Sequence, residues 1–204
     1  MIRLAVVLWA FLALPAMATQ DGWPALHDVT GVAADDVLNI RERPDATSPI
    51  IGQLAPDATG IEVIRANPRL TWGLVNAGEA TGWVSLRYLE RRPGQWDGAF
   101  PEIAVCFGTE PFWRLGREGE RLVHTTPDAE AQEFAIVARS GSVNRRDSFH
   151  MIAEGAGGPV IAVLETRSCS DGMSDRDYGI SVQILFGIGP ETRQLSGCCT
   201  LGGQ

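Results

Sequence analysis

Apolar residues in this chain occur in short runs that often alternate with polar residues, and clusters of Gly, Pro, Asn and Asp separate the runs. Short alternating segments bounded by turn residues are typical of β-strands. The spacing that marks an amphipathic helix is nearly absent after residue 18. The pattern therefore predicts an all-β protein.

The second half of the chain contains eight candidate strands. They are Ala104–Gly108, Phe112–Arg117, Glu120–Thr125, Gln132–Arg139, Asp147–Ala153, Pro159–Arg167, Tyr178–Phe186 and Arg193–Thr200. Their short connections predict an antiparallel meander, which at eight strands can close into a barrel and remove its exposed edges. One short helical turn is predicted at Thr126–Asp128, where a capping residue precedes Pro127. An open sheet crossed by a helix is the alternative.

The first half contains five shorter candidate strands. They are Val29–Val32, Ile50–Leu54, Ile61–Ala66, Trp72–Asn76 and Gly82–Ser85. Five strands in so short a stretch predict a small barrel or a pair of orthogonal sheets. Residues 90–98 combine charge with Pro and Gly, which indicates a boundary. We predict a first domain at residues 27–90, a linker at 91–101 and a second domain at 102–204.

The first eighteen residues have the layout of a secretory signal peptide. Arg3 precedes the apolar run Leu4–Leu14, and Ala16–Ala18 forms an A-x-A cleavage site. The run is shorter than the roughly 20 apolar residues that a membrane-spanning helix needs, and no later segment approaches that length. We predict cleavage near Ala18 and a periplasmic or secreted chain without a transmembrane segment. A retained N-terminal anchor helix is the alternative.

Charge and residue types narrow the classes of function. The formal net charge is −8 and no basic run is present, so we expect no nucleic-acid partner. Every basic residue is Arg, which excludes lysine Schiff-base chemistry. His27, His124 and His150 lie in separate elements without the spacing of metal ligands, and we expect no metal or other cofactor.

Several segments of the first half match one pattern in order. They are Leu38–Pro44, Ile50–Leu54, Gly60, Trp72, Gly82–Val84 and Ser85–Leu89. Together they resemble the bacterial SH3 (SH3b) family over residues 27–90. The resemblance implies an SH3-like small barrel that docks to peptidoglycan or to an envelope protein. The inward positions of its strands are predicted to be Leu38, Ile40, Ile51, Leu54, Val63, Trp72, Val75 and Val84.

A ligand groove in such a module would be lined by exposed aromatic residues beside the loops, because rings give contact area at low entropy cost. Trp83 and Tyr88 are the candidate ligand-binding residues of this region. The alternative is that both rings pack in the core or at its rim.

Three clusters stand out in the second half: Gly108–Trp113, Ser168–Arg176 and Ser196–Cys199. Together they resemble an uncharacterised family of bacterial envelope proteins and lipoproteins, which implies a domain but no activity. Glu110 and Trp113 are further candidate ligand-binding residues. Glu110 lies in aromatic company, where burial would raise the pKa of its carboxyl group. The alternative is that Glu110 caps loop amides.

All four cysteines lie in the second half, and in an exported chain two disulfides with three possible pairings are expected. The family resemblance implies a bridge between Cys169 and Cys198. A hairpin of the last two predicted strands agrees in part, because it returns the chain end to the loop that holds Cys169. Cys106 and Cys199 would then form the second bridge.

Catalytic interpretations are weaker than this structural one. Ser168–Gly172 resembles the nucleophile segment of wall-cleaving cysteine peptidases, and Ser196–Thr200 that of L,D-transpeptidases. No His follows either segment, and the second also lacks the expected Arg. Carboxylates at Asp171, Asp175 and Asp177 could bind a hard cation, but turn residues that cap their own backbone are favoured.

The sequence therefore predicts a non-catalytic periplasmic or cell-envelope binding protein. Its first domain would dock to peptidoglycan or a protein partner, and its second would present a further surface. An enzyme acting on cell-wall polymers, a hydrolase or a transferase, and an inhibitor of such an enzyme are the alternatives.

Overall fold

A computed structural model describes residues 21–202 of the chain, so the signal peptide predicted at residues 1–18 lies outside the described part. The described part is all-β, as predicted. Its strands are β1 (Ala25–Val29), β2 (Leu38–Arg41), β3 (Ile50–Leu54), β4 (Ile61–Val63), β5 (Arg65–Ala66), β6 (Trp72–Ala77), β7 (Ala80–Ser85), β8 (Leu89–Arg91), β9 (Val105–Thr109), β10 (Phe112–Glu118), β11 (Arg121–Thr126), β12 (Ala129–Gly141), β13 (Ser148–Gly155), β14 (Gly158–Cys169), β15 (Tyr178–Phe186) and β16 (Arg193–Thr200).

The first region of the molecule, β1 to β8, consists of two antiparallel sheets around one small core. One sheet has the order β4-β1-β8 and the other the order β3-β2-β7-β6-β5. The segment predicted as a single strand, Ile61–Ala66, bends at the buried Ile64 and contributes β4 to one sheet and β5 to the other. This bend places the two sheets face to face.

Other sequence predictions for the first region were also wrong. The first strand is Ala25–Val29 rather than Val29–Val32, because the chain turns at Gly31 with a φ of 67°. The segment Leu38–Arg41 forms a strand that the list of five omitted, with buried and half-buried residues alternating. Ile51 is 43% exposed rather than buried, because it lies on the open edge of a sheet.

The second region is a closed barrel in which each strand pairs with its neighbours in sequence and β9 pairs with β16. The predicted eight-stranded meander is confirmed, and β15 and β16 have the predicted bounds. The helical turn predicted at Thr126–Asp128 was wrong. Thr126 pairs with Ala129 across a tight hairpin, so Pro127 and Asp128 form a two-residue turn.

Side chains fill the interior of the barrel. Inward residues on successive strands form one continuous core that includes Trp113, Leu115, Leu122, Phe134, Phe149, Met151, Leu164, Ile180, Val182, Ile184 and Phe186. Eight strands enclose a space just wide enough for such packing. Binding of ligands by this region is therefore confined to its outer wall and its ends.

The two regions contact each other through a loop of the barrel, residues 170–177, and the β6–β7 turn. The Arg176 guanidinium donates to the carbonyl of Gly78 at 2.6 Å, and the Asp175 amide donates to the carbonyl of Glu79 at 3.0 Å. The side chain of Asn76 donates to the carbonyl of Asp177 at 3.0 Å. Among residues 21–202 no helix is long and apolar enough to cross a membrane.

Candidate functional site

The structure does not bring the four predicted ligand-binding residues together. Tyr88 lines a surface groove of the first region. Trp83 lies half-buried on β7, with the guanidinium of Arg65 at 5.5 Å from its ring centroid. Glu110 and Trp113 lie on the barrel, at the β9–β10 turn and in β10.

Trp113 is 4% exposed and packs in the barrel core, so it is a structural residue rather than a surface contact. Glycines at 108 and 197 make room for its indole. A Cβ added to Gly108 would lie 2.3 Å from Nε1 of Trp113, and one added to Gly197 would lie 2.7 Å from Cζ2. The start and end motifs of the second region therefore meet at one buried ring.

Glu110 is exposed in the turn between β9 and β10. Within residues 21–202 its carboxylate accepts no hydrogen bond and forms no ion pair, so both predicted roles, the buried acid and the cap of loop amides, were wrong. The neighbouring Thr109 makes the contact instead. Its hydroxyl donates to the carbonyl of Asp171 at 2.9 Å, which ties this turn to the loop at residues 170–177.

Asp171 organises the loop at residues 170–177. Its carboxylate accepts hydrogen bonds from the amides of Met173 and Ser174, from the hydroxyl of Ser174 and from the hydroxyl of Tyr178. Burial alone would raise the pKa of Asp171, but these hydrogen bonds outweigh it and hold the pKa below its usual value. The favoured interpretation, an Asp that caps its own backbone, describes this residue.

The four cysteines form two disulfides, Cys106–Cys199 and Cys169–Cys198, which is the pairing that the sequence analysis reached. The bridge Cys169–Cys198 joins the centre and end motifs, with Cys169 half-buried and Cys198 buried, whereas Cys106 and Cys199 are both fully buried in the barrel core. No thiol is therefore free for the nucleophilic attack that the two catalytic interpretations require.

The groove of the first region has a volume of about 570 Å³. It lies between the β1–β2 loop, the β2–β3 loop and one end of the five-stranded sheet. The charged, amide and aromatic residues that line the groove are Asp36, Asn39, Arg41, Trp72, Arg87 and Tyr88. Tyr88, a candidate from the sequence, lies in this groove, and so does Trp72, which the sequence analysis assigned to the core and which is half-buried.

Among the described residues neither guanidinium group of the groove forms an ion pair, although Arg41 interacts electrostatically with Asp45. Arg41 donates to the carbonyl of Ser48 at 2.7 Å, and Arg87 lies 5.6 Å from the ring centroid of Tyr88. The single acid, Asp36, accepts a hydrogen bond from the amide of Val37 at 2.8 Å. The groove therefore offers positive charge beside two aromatic rings, and one carboxylate at its rim.

A buried acid lies where the two regions meet. The carboxylate of Glu62, on β4, accepts a hydrogen bond from the amide of Leu201 at 3.1 Å, and its Oε1 has no partner among the described residues. Burial raises the pKa of Glu62 to about 7, although hydrogen bonds from the amides of Leu201 and Gly202 oppose the shift.

Two of the three histidines are also buried. His27 stacks on Trp23 with ring centroids 5.7 Å apart, and His124 lies 4.7 Å from the ring of Phe186. Burial lowers the pKa of both imidazoles.

Comparison of the chain with protein-family models, with curated proteins and with solved structures gave no match. Its relationship to the two families named in the sequence analysis therefore stays a prediction.

Proposed function

We propose that this chain is a non-catalytic cell-envelope protein whose SH3-like first region binds peptidoglycan through the groove. The observation that carries the proposal is the combination of two guanidinium groups that form no ion pair among residues 21–202, Arg41 and Arg87, with the rings of Trp72 and Tyr88 in one concavity. The resemblance to the bacterial SH3 family points in the same direction.

The chemistry of the groove fits the peptide part of peptidoglycan. Such stem peptides carry several carboxylates, which guanidinium groups bind through charge-assisted hydrogen bonds. They also carry an amino group, which can donate a hydrogen bond to the carboxylate of Asp36 at the rim of the groove. The rings of Trp72 and Tyr88 would pack against the short apolar side chains of the peptide.

The predicted location supports the same ligand class. Two disulfides are typical of proteins that fold in an oxidising compartment, such as the periplasm or the cell exterior. The predicted signal peptide would deliver the chain there. The filled barrel would then act as a stable platform for the groove.

Retention on purified sacculi tests the proposal. We expect the oxidised protein to sediment with sacculi, and Tyr88→Ala and Arg87→Gln each to weaken binding by about fivefold to tenfold, the usual effect of losing one aromatic or charged contact. Binding should also fall with added salt, because part of it is electrostatic.

The controls are matched in chemistry and lie outside the groove. Phe112→Ala removes a ring that is 54% exposed on the barrel, and Arg69→Gln removes an exposed guanidinium outside the groove. Both variants should bind like the wild type. No retention of the wild type, or equal retention of the groove variants and these controls, would overturn the proposal.

A further inference from the structure

A second concave site lies on the outer wall of the barrel, away from the groove. It has a volume of about 340 Å³ and lies between β9, β10 and the loop at residues 170–177. Its wall includes Val105, Phe107, Arg114, Asp171, Arg176 and Tyr178. We call it the Arg114 pocket. Its volume falls in the lower range of sites that hold small organic molecules.

Arg114 supplies a charge that the protein does not neutralise. Its side chain is exposed, and within residues 21–202 its guanidinium forms neither an ion pair nor a hydrogen bond. The guanidinium lies along its own strand over Gly116, where an added Cβ would be 2.7 Å from one terminal nitrogen. Gly116 faces outward yet is buried, because Arg114 covers it.

The other polar groups of the pocket are already engaged. Arg176 bonds to the β6–β7 turn, and the carboxylate of Asp171 accepts four hydrogen bonds from its own loop and from Tyr178. Burial raises the pKa of Tyr178, so its hydroxyl remains protonated at neutral pH and keeps donating to Asp171. The pocket therefore has one unused polar group, and it is a cation.

The remaining wall is apolar and aromatic. The rings of Phe107 and Tyr178 meet edge to face with centroids 5.0 Å apart, and Val105 continues this surface. The disulfide Cys169–Cys198 and the hydrogen bond from Thr109 hold the loop that forms the opposite side. The pocket is thus held in shape by the three motifs of the second region.

We infer that the Arg114 pocket binds a small organic carboxylate, with the anion on the Arg114 guanidinium and an apolar body against Phe107 and Val105. A planar guanidinium suits a carboxylate because two N–H groups can donate in parallel to its two oxygens. This site is separate from the groove and does not depend on the function proposed for it.

Benzoate and benzamide form a matched pair of probes, since they have nearly the same shape and differ in charge. Each would be titrated into the isotopically labelled, oxidised protein and followed by amide chemical shifts. We expect benzoate to cause saturable shifts at Phe107, Arg114 and Tyr178. Benzamide should bind with an affinity at least about tenfold lower, because one charge-assisted contact supplies a factor of this size.

Arg114→Gln removes the charge and leaves a shorter, neutral side chain that can still form hydrogen bonds. We expect it to weaken benzoate binding by about tenfold or more, to the level of benzamide. Arg69→Gln, which removes another exposed and unpaired guanidinium, should leave the shifts unchanged. Arg87→Gln should also leave them unchanged, which distinguishes this pocket from the groove.

Three outcomes would overturn the inference: no saturable shift with benzoate, equal affinity for benzoate and benzamide, or wild-type affinity in Arg114→Gln. The comparison of the two probes uses the wild-type protein alone, so it holds even where Arg114→Gln disturbs packing over Gly116. Retention on sacculi is measured separately and can succeed or fail independently of this result.

Discussion

The two regions of this molecule place their aromatic rings differently. The barrel encloses most of its rings in its core, including those of Trp113, Phe134, Phe149 and Phe186. The first region leaves the rings of Trp72, Trp83 and Tyr88 half-exposed on or beside its five-stranded sheet. Buried rings stabilise a fold, whereas half-exposed rings beside unpaired charge are available to a ligand. The comparison associates the barrel with stability, and it supports our proposal that the first region binds the ligand.

The largest effect on this comparison is expected from removing the two disulfides of the barrel. Replacing Cys106 and Cys199 with Ala opens a loop with a sequence separation of 93, and the pair Cys169 and Cys198 one of 29. The free energy of unfolding should fall by about 4–5 kcal/mol for the first pair and about 3–4 kcal/mol for the second. Urea titration measures both, and a larger loss for the second pair would contradict the argument from loop length.

The packing of the barrel wall gives the next largest effect. A Cβ at position 197 would lie 2.0 Å from the carbonyl oxygen of Phe107, a backbone atom that cannot move alone. We expect Gly197→Ala to lower the free energy of unfolding by about 3 kcal/mol. Gly157→Ala is the matched control, because nothing lies within 4 Å of its added Cβ. Similar melting temperatures for the two variants would show that the backbone near Phe107 shifts at little cost to make room for the added methyl group.

The boundary between the regions should respond to pH through Glu62. Its folded pKa of about 7 lies above the ordinary value of 4.5, so the folded state holds this proton more tightly than the unfolded state. The stabilisation is therefore complete below pH 4.5 and is lost as the pH rises through 7, by up to about 3 kcal/mol. Glu62→Gln resembles the protonated acid and should remove this loss.

Because burial lowers the pKa values of His27 and His124, these residues destabilise the fold as the pH falls below 6.5, which is the opposite trend. The measurement is therefore the difference between wild type and Glu62→Gln in urea titrations at pH 5 and pH 8. This difference cancels the histidine contribution. A difference that does not change between the two pH values would show that Glu62 has its ordinary pKa.

The smallest expected effect concerns the ion pair across the boundary. Arg65 lies 3.4 Å from the carboxylate of Asp177, and both side chains are partly exposed. Arg65→Ala should cost less than about 1 kcal/mol, and the loss should shrink in high salt. Arg69→Ala, which breaks no ion pair, should have no effect that salt changes. A loss of several kcal/mol would mean that this contact holds the regions together.

The barrel could be predicted from the sequence because core residues recur at every second position in some of its strands. Tyr178–Phe186 is a clear case, with Ile180, Val182, Ile184 and Phe186 in the core, and it was assigned at both ends. Strands of two to five residues in the first region carry too few positions to show a period, so Leu38–Arg41 was omitted and the bend at Ile64 was missed. Tertiary structure, not local pattern, determines such short strands.

The candidate sites were harder to predict than the fold. The sequence analysis placed Trp72 in the core and Trp113 at the surface, whereas Trp72 is half-buried and Trp113 is buried, because sequence alone does not show which face of a strand a Trp occupies. Arg114 carries no local signal at all. Arg114 is a candidate because its guanidinium forms no ion pair among residues 21–202. That property depends on where the acidic residues lie in the folded protein, so it cannot be predicted from the sequence.

The pairing of β9 with β16 means that the barrel is completed by its last strand. Until residues 193–200 are in place, β9 and β15 present open edges, and Cys106 and Cys169 have no partners. Unpaired strand edges are prone to join other chains. A chain that lacks β16 would thus have two open strand edges and two free thiols, and we expect it to aggregate.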